Sequence, residues 1–207
     1  MPIMSKKDFT KAVADLTDPK TLDAVKEKVK TIVIDTVEDV VELFKAAVCA
    51  KYGVEDVGQV QQAEKGNPNG YNLYRTQFKK QINLLTSSGY TVIFISHEET
   101  IQVSMGEFDD KGNELTRPFI IPKGSAGEKD SCRFIKDLCD FRFYISSNGI
   151  DKETKKTVMS EAWCVQTDKF YAGSRFNTVP VINPFTAENV IKEIEEAQKR
   201  SGRILCL

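Results

Sequence analysis

Two unbroken apolar runs, TIVI at 31–34 and TVIFI at 91–95, each end in polar residues: Asp35-Thr36 after the first, Ser96-His97 after the second. Runs of this kind predict strands buried on both faces of a parallel sheet. Around them the spacing turns helical. Residues 8–29 carry apolar positions at helical intervals, broken at Asp18-Pro19, which predicts one or two surface helices, the second with Pro near its first turn. Beyond Glu38, the residues Val40, Val41, Phe44 and Val48 recur at three and four and mark one face of a helix. The segment GVEDVGQVQQAEKGNPNG reads as a long irregular loop. A second helix follows, with Leu73, Phe78, Ile82 and Leu85 as its stripe and Gly89 as its C-terminal glycine. Strand, helix, helix, strand, with about sixty residues between the strands, predicts an α/β layer architecture.

The remainder alternates with period two. TIQVSMGEFDDKGNELTRPFIIP reads as a hairpin turning at Asp110-Lys111-Gly112-Asn113. DSCRFIKDLCD predicts a short helix on which Cys132 and Cys139 share a buried face. FRFYIS predicts a strand, SNGIDKETKK a turn, and TVMSEAWCVQT the partner strand with Trp163 in the core. TAENVIKEIEEAQKR is a C-terminal helix with Thr186 as N-cap and Asn189 at the third position.

Composition narrows the class. The chain has 207 residues, 41% hydrophobic and 29% charged, as expected of one globular domain. Lys plus Arg (29) nearly equals Asp plus Glu (30), so any attraction to nucleic acid has to be local. The five cysteines form no C-x-x-C pair, which argues against a zinc site or disulfide framework and for a reducing, cytoplasmic setting. No run approaches a membrane span, and Cys206 stands second from the end, outside a prenylation signature.

Candidate chemistry gathers at the two strand ends. Ligands of open α/β sheets bind beyond the carboxyl ends of the strands, where Asp35 could hold magnesium through its water shell. The equal alternative is that Asp35, or Thr36, caps the following helix. His97, the single histidine, is placed beside Asp35 by parallel pairing, where its imidazole could face a γ-phosphate or a water.

The order TIVIDTVEDVVELF, YNLYRTQFKKQINLL, GYTVIFISHEE, DLCDFRFYI, YAGSRF and NPFTAENVIKEIEEA resembles phage-type, AAA-like nucleotide-binding proteins of the RecA-like P-loop ATPase superfamily. That resemblance implies a three-layer α/β/α core with a mostly parallel sheet, followed by C-terminal hairpins. The expected divisions are 8–30, N-terminal helices; 31–103, metal and sensor strands; 104–185, hairpins and short helix; 186–200, C-terminal helix. It implies ATP and Mg2+ as cofactors, with Asp35 as the Walker B aspartate, Thr36 beside it, and Ser96 and His97 at the sensor position. AGSRF resembles a KNRF motif whose arginine reaches the nucleotide of an adjacent subunit, which makes Arg175 act in trans, while the motif's lysine falls on Gly173.

No Gly-Lys dipeptide occurs, so the G-x-x-x-x-G-K-[S/T] phosphate loop is missing from this sequence. The expectation is a truncated or split protein, or one that has lost hydrolysis. Without the loop's strand, TVIFIS is left with an open edge, which predicts a homo-oligomer or partner subunit, or FRFYIS moving into the gap. For single-stranded DNA the candidates are Tyr71, Tyr74, Arg75, Lys79 and Lys80, with Lys152, Lys155 and Lys156 as a second basic group. The family's DNA loops fall near 58–70 and 104–116, the latter acidic here. Two functions follow: an ATP-binding protein of recombination or strand annealing in a bacterial host's cytoplasm, or a non-enzymatic interaction or DNA-binding module.

Overall fold

The computed structural model describes residues 3–63, 66–126, 132–147, 149–150, 152–155 and 158–202; Lys156 and Cys206 lie outside them. Where one domain is expected, the chain groups into two compact units, Met1–His97 with Gly127–Cys132, and Glu98–Ala126 with Arg133–Leu207.

The first unit is built on helices α1 (Lys6–Thr17), α2 (Leu22–Lys28), α3 (Val37–Tyr52) and α5 (Gly70–Ser87), with the short α4 (Val60–Ala63) between the last two. Helix α1 starts at Ser5, whose hydroxyl accepts from the Asp8 amide. It buries Phe9 and Val13 against α3 and α5. Phe44 stands edge-on between Phe9 (5.9 Å) and Phe78 (5.6 Å), an arrangement worth about 1 kcal/mol per pair beyond area burial. The buried stripe of α5 is Tyr74, Phe78, Ile82 and Leu85, so Tyr74 takes the inward place expected of Leu73. As expected, Gly89 follows α5 in the left-handed conformation. The expected loop at 53–70 is partly helical: Asp56 and Gln59 close a reciprocal capping box, and Val57 and Val60 are buried.

Strands β1 (Thr31–Asp35) and β2 (Thr91–Ile95) pair in parallel, with Val33 opposite Ile93 and Asp35 opposite Ile95. Tyr90 ties the start of β2 to α1 by donating to the Leu16 carbonyl at 2.6 Å. The expectation of burial on both faces is corrected. Ile34 is buried and its neighbours Ile32, Val92 and Phe94 are half-buried, but Val33 (54%), Ile93 (47%) and Ile95 (42%) are exposed. The described residues therefore form two layers here, with one apolar sheet face bare, rather than three.

The sheets of the second unit are antiparallel, the sense expected of its hairpins, and among the named strands the parallel sheet consists of β1 and β2 alone. Strands β3 (Glu98–Phe108) and β4 (Glu114–Pro122) form the expected hairpin, with a register shift between Ser104 and Phe108. Helix α6 (Arg133–Leu138) ends before Cys139, and Cys132 groups with the first unit, so the two cysteines do not share a helical face. FRFYIS splits into β5 (Phe141–Arg142) and β6 (Tyr144–Ser146). The former pairs with β8 (Gly173–Ser174), the latter with β7 (Glu161–Trp163), which in turn pairs with β9 (Val181–Ile182). Phe141 stacks on Phe176 at 5.0 Å and Tyr144 on Phe170 at 4.3 Å, which commits the halves to different partners within the second unit. The small core is Ala162, Cys164 and Ile182, whereas Trp163 points to the other face and packs edge-on against Phe170. Helix α7 (Ala187–Arg200) is capped by Thr186, which accepts from the Asn189 amide, as expected. Its buried Glu193 accepts from the Val179 amide at 2.8 Å and pairs with Arg200.

Candidate functional site at the ends of the parallel strands

The residue that caps α3 is Thr36 rather than Asp35. Its hydroxyl accepts from the Asp39 amide at 3.4 Å and donates to Asp39 Oδ2 at 2.8 Å. Thr36 is 7% exposed and fills the N-cap position of α3, so its side chain is spent on the helix rather than open to a cofactor. The peptide joining Asp35 to Thr36 is cis. Asp35 itself is exposed at the carboxyl end of β1, and among the described residues its carboxylate has no hydrogen bond or ion pair.

The chain leaves β2 one register position beyond Asp35. Ser96 donates its hydroxyl hydrogen to the His97 carbonyl at 3.1 Å, which leaves its lone pairs free. His97 is drawn to the first turn of α3: its amide donates to Glu38 Oε1 at 2.9 Å, and its Nδ1 lies 2.5 Å from the same oxygen. The imidazole is 67% exposed, while the Glu38 side chain is 13% exposed. Burial pushes the Glu38 carboxyl up. The amide of His97, its own backbone amide and the imidazole together outweigh that, and hold it below the ordinary carboxylate value. Glu38 is the member of this site that sequence reasoning missed, because its partner is 59 residues away. An acidic residue in a helix's first turn was the one signal for it.

A lone carboxylate free of protein partners suits magnesium, which keeps several waters and takes phosphate oxygens to complete its shell. Among the described residues no group of three or more His, Cys, Asp or Glu could hold a metal by protein ligands alone.

Arg175 belongs to the second unit and is held within its own chain. Its guanidinium pairs with Asp140 at 3.1 Å and donates to the Asp137 carbonyl. The pair is about half exposed on both sides, so it is weak and exchangeable. The glycine at the motif's lysine position has a backbone reason. Gly173 has φ +153°, and a Cβ there would stand 3.2 Å from the Arg142 guanidinium.

On α5, Tyr74 is 3% exposed and offers no ring to a base, which corrects its place among nucleic-acid residues. The outward ring is Tyr71, with the Arg75 guanidinium 5.5 Å from its centre. Lys79 and Lys80 are exposed and line a shallow depression of about 470 Å³ with Thr76, Asn83, Leu84 and Ser87.

The model of a family described as "AAA domain" matches residues 2–176. The chain belongs to the AAA domain family. It is 35% identical over 204 residues to the SPbeta prophage-derived uncharacterized protein YorG of Bacillus subtilis (strain 168), an alignment covering 97% of this chain and 55% of that protein. The chain thus spans about half the length of this curated relative. No solved structure matches. AAA membership with a prophage relative makes this a phage-type AAA-like protein with a mixed α/β fold, and makes a nucleotide its expected ligand. No helix among the described residues is long and apolar enough to cross a membrane.

Proposed function

We propose that the ends of β1 and β2 form the metal- and γ-phosphate-facing half of a RecA-like nucleotide site, in a phage protein acting on DNA in recombination or strand annealing. The observation that carries the reading is Asp35: Thr36 performs the capping, and the neighbouring carboxylate stands free at the end of β1, opposite Ile95 of the strand that leads into Ser96 and His97. Asp35 is the Walker B residue, which takes magnesium through water. Ser96 and His97 face the γ-phosphate, His97 through Nε2. When bound, magnesium neutralises developing phosphate charge; the chain's own residues orient it and hold a donor or a water at the terminal phosphate. Arg175 exchanges its exposed Asp140 pair for a phosphate oxygen of a neighbouring subunit.

This sequence contains no Gly-Lys phosphate loop, and on this reading that part is supplied by other residues of the assembly. The bare apolar face at Val33, Ile93 and Ile95 favours such an association, and equally supports the second reading, a module that binds partners without turnover.

The test is ATP binding by this chain with and without magnesium, in wild type and Asp35→Ala. Weak, millimolar, magnesium-dependent binding that is lost in the variant supports the reading. Binding indifferent to both magnesium and Asp35 overturns it. Micromolar binding lost in Asp35→Ala would place a complete site in this chain and refute the half-site.

A further inference from the structure

We propose that Glu38 is a positioning residue that locks the imidazole of His97 in its Nδ1–H form, so that Nε2 alone is presented to the ligand. The inference deepens the nucleotide reading above and rests on it for the identity of that ligand.

One oxygen of Glu38 takes two hydrogen bonds from the same residue, the His97 amide at 2.9 Å and Nδ1 at 2.5 Å. An ionised carboxylate only accepts, so the proton between them resides on Nδ1. The amide contact fixes the backbone of His97 and the ring contact fixes its rotation, which leaves the imidazole little freedom. The roles are asymmetric. Glu38 is 13% exposed and rooted in α3, whereas His97 is 67% exposed on the segment after β2. Glu38 is therefore the anchor and His97 the group held. Glu38 Oε2 is enclosed without a partner among the described residues, which makes His97 the side chain that answers this carboxylate.

The consequence concerns Nε2. With Nδ1 committed, the neutral ring offers a lone pair at Nε2, able to orient or take a proton from a water. The charged ring offers an N–H there, able to donate to a phosphate oxygen. The opposite neutral tautomer carries its N–H at Nε2, so it could donate to a phosphate oxygen there but could not take a proton from a water. Glu38 also stands three positions after Asp35, in the first turn of the helix that Thr36 caps, so the carboxylate at the end of β1 and the clamp for the imidazole lie on either side of one helix cap. A metal-ligating or catalytic histidine is commonly oriented in this way, through the nitrogen that does not face the substrate.

His97 is the single histidine, so long-range proton–nitrogen NMR on 15N-histidine-labelled protein reads one ring without assignment. With the ring neutral, wild type is expected to show a protonated Nδ1 and an unprotonated Nε2. Glu38→Ala is expected to lose that preference and revert to mainly Nε2–H, while Glu38→Gln, which keeps an acceptor oxygen, preserves it. Backbone amide spectra of α3 check that each variant is folded. A wild-type ring protonated at Nε2, a measurement that needs no variant, overturns the proposal, as does an unchanged tautomer in folded Glu38→Ala. Adding magnesium-ATP separates the two claims. A clamped Nδ1–H ring whose Nε2 signal ignores the nucleotide upholds Glu38 as its positioner and refutes the nucleotide reading.

Discussion

Thr36 caps α3 by exchanging hydrogen bonds with Asp39, at 3.4 Å from the Asp39 amide and 2.8 Å to its carboxylate, and this leaves Asp35 with no structural duty. The two adjacent residues therefore separate by variant. Thr36→Ala removes an N-cap and is expected to lower stability by about 1 kcal/mol. Asp35→Asn, at an exposed residue with no protein partner, is expected to stay within about 0.5 kcal/mol of wild type. Urea midpoints compare them, and a larger loss at Asp35 than at Thr36 would make Asp35 structural.

Glu38 gives the stability a pH dependence of known sign. Its folded value lies below the ordinary 4.5, so its contribution is complete above that value and is lost as the pH falls through the lowered one. Wild type is expected to lose more stability than Glu38→Gln between neutral pH and the region below 4.5. Parallel urea titrations at several pH values read this, and superimposable curves would remove Glu38 from the acid response.

The α5 surface separates a nucleic-acid role from a core role. Lys79→Ala with Lys80→Ala is expected to leave folding intact and, if single-stranded DNA binds here, to flatten the salt dependence of binding by about 0.7 per lysine. Tyr74→Ala, at a buried site between α3 and α5, is expected to cost about 3 kcal/mol of stability instead. Fluorescence anisotropy across a salt series, beside a denaturation curve, distinguishes them. An unchanged salt slope in the double variant would exclude this face.

The thiols of half-buried Cys139 and buried Cys164 are expected to be inert. Burial pushes Cys139 and Cys164 up to about 11. At pH 8 each is then ionised roughly one part in a thousand, against a sizeable fraction for an ordinary thiol. Mass spectrometry after brief alkylation is expected to find both unmodified in the folded protein. Labelling as fast as in the denatured chain would contradict their burial.

Much of the local structure was legible because its causes are local. Thr186 and Gly89 announce a helix start and stop, the Asp110–Asn113 cluster announces the hairpin, and the parallel pairing of β1 with β2 follows from two similar apolar runs. What was hidden depends on partners distant in sequence. An unbroken apolar run cannot reveal that one of its faces is bare, so the exposure of Val33, Ile93 and Ile95 was unreadable. FRFYIS reads as one strand, and only the stacking of Phe141 and Tyr144 on different rings divides it. The Asp56 and Gln59 capping box was visible in the letters but masked by the glycines and asparagines that follow it. At the site, the ends of β1 and β2 lie in parallel register with Asp35 opposite Ile95, Thr36 was diverted to the cap and Tyr74 to the core, and Glu38 emerged as the partner of His97 only with the fold.

The central claim is that Asp35 carries a metal-bound nucleotide beside His97. Paramagnetic manganese, substituted for magnesium on ATP, broadens the amide signals nearest to it in a 15N spectrum. The account predicts selective broadening at Asp35, Ser96 and His97 that disappears in folded Asp35→Asn. Broadening that is absent there at millimolar nucleotide, or that persists in Asp35→Asn, would contradict it.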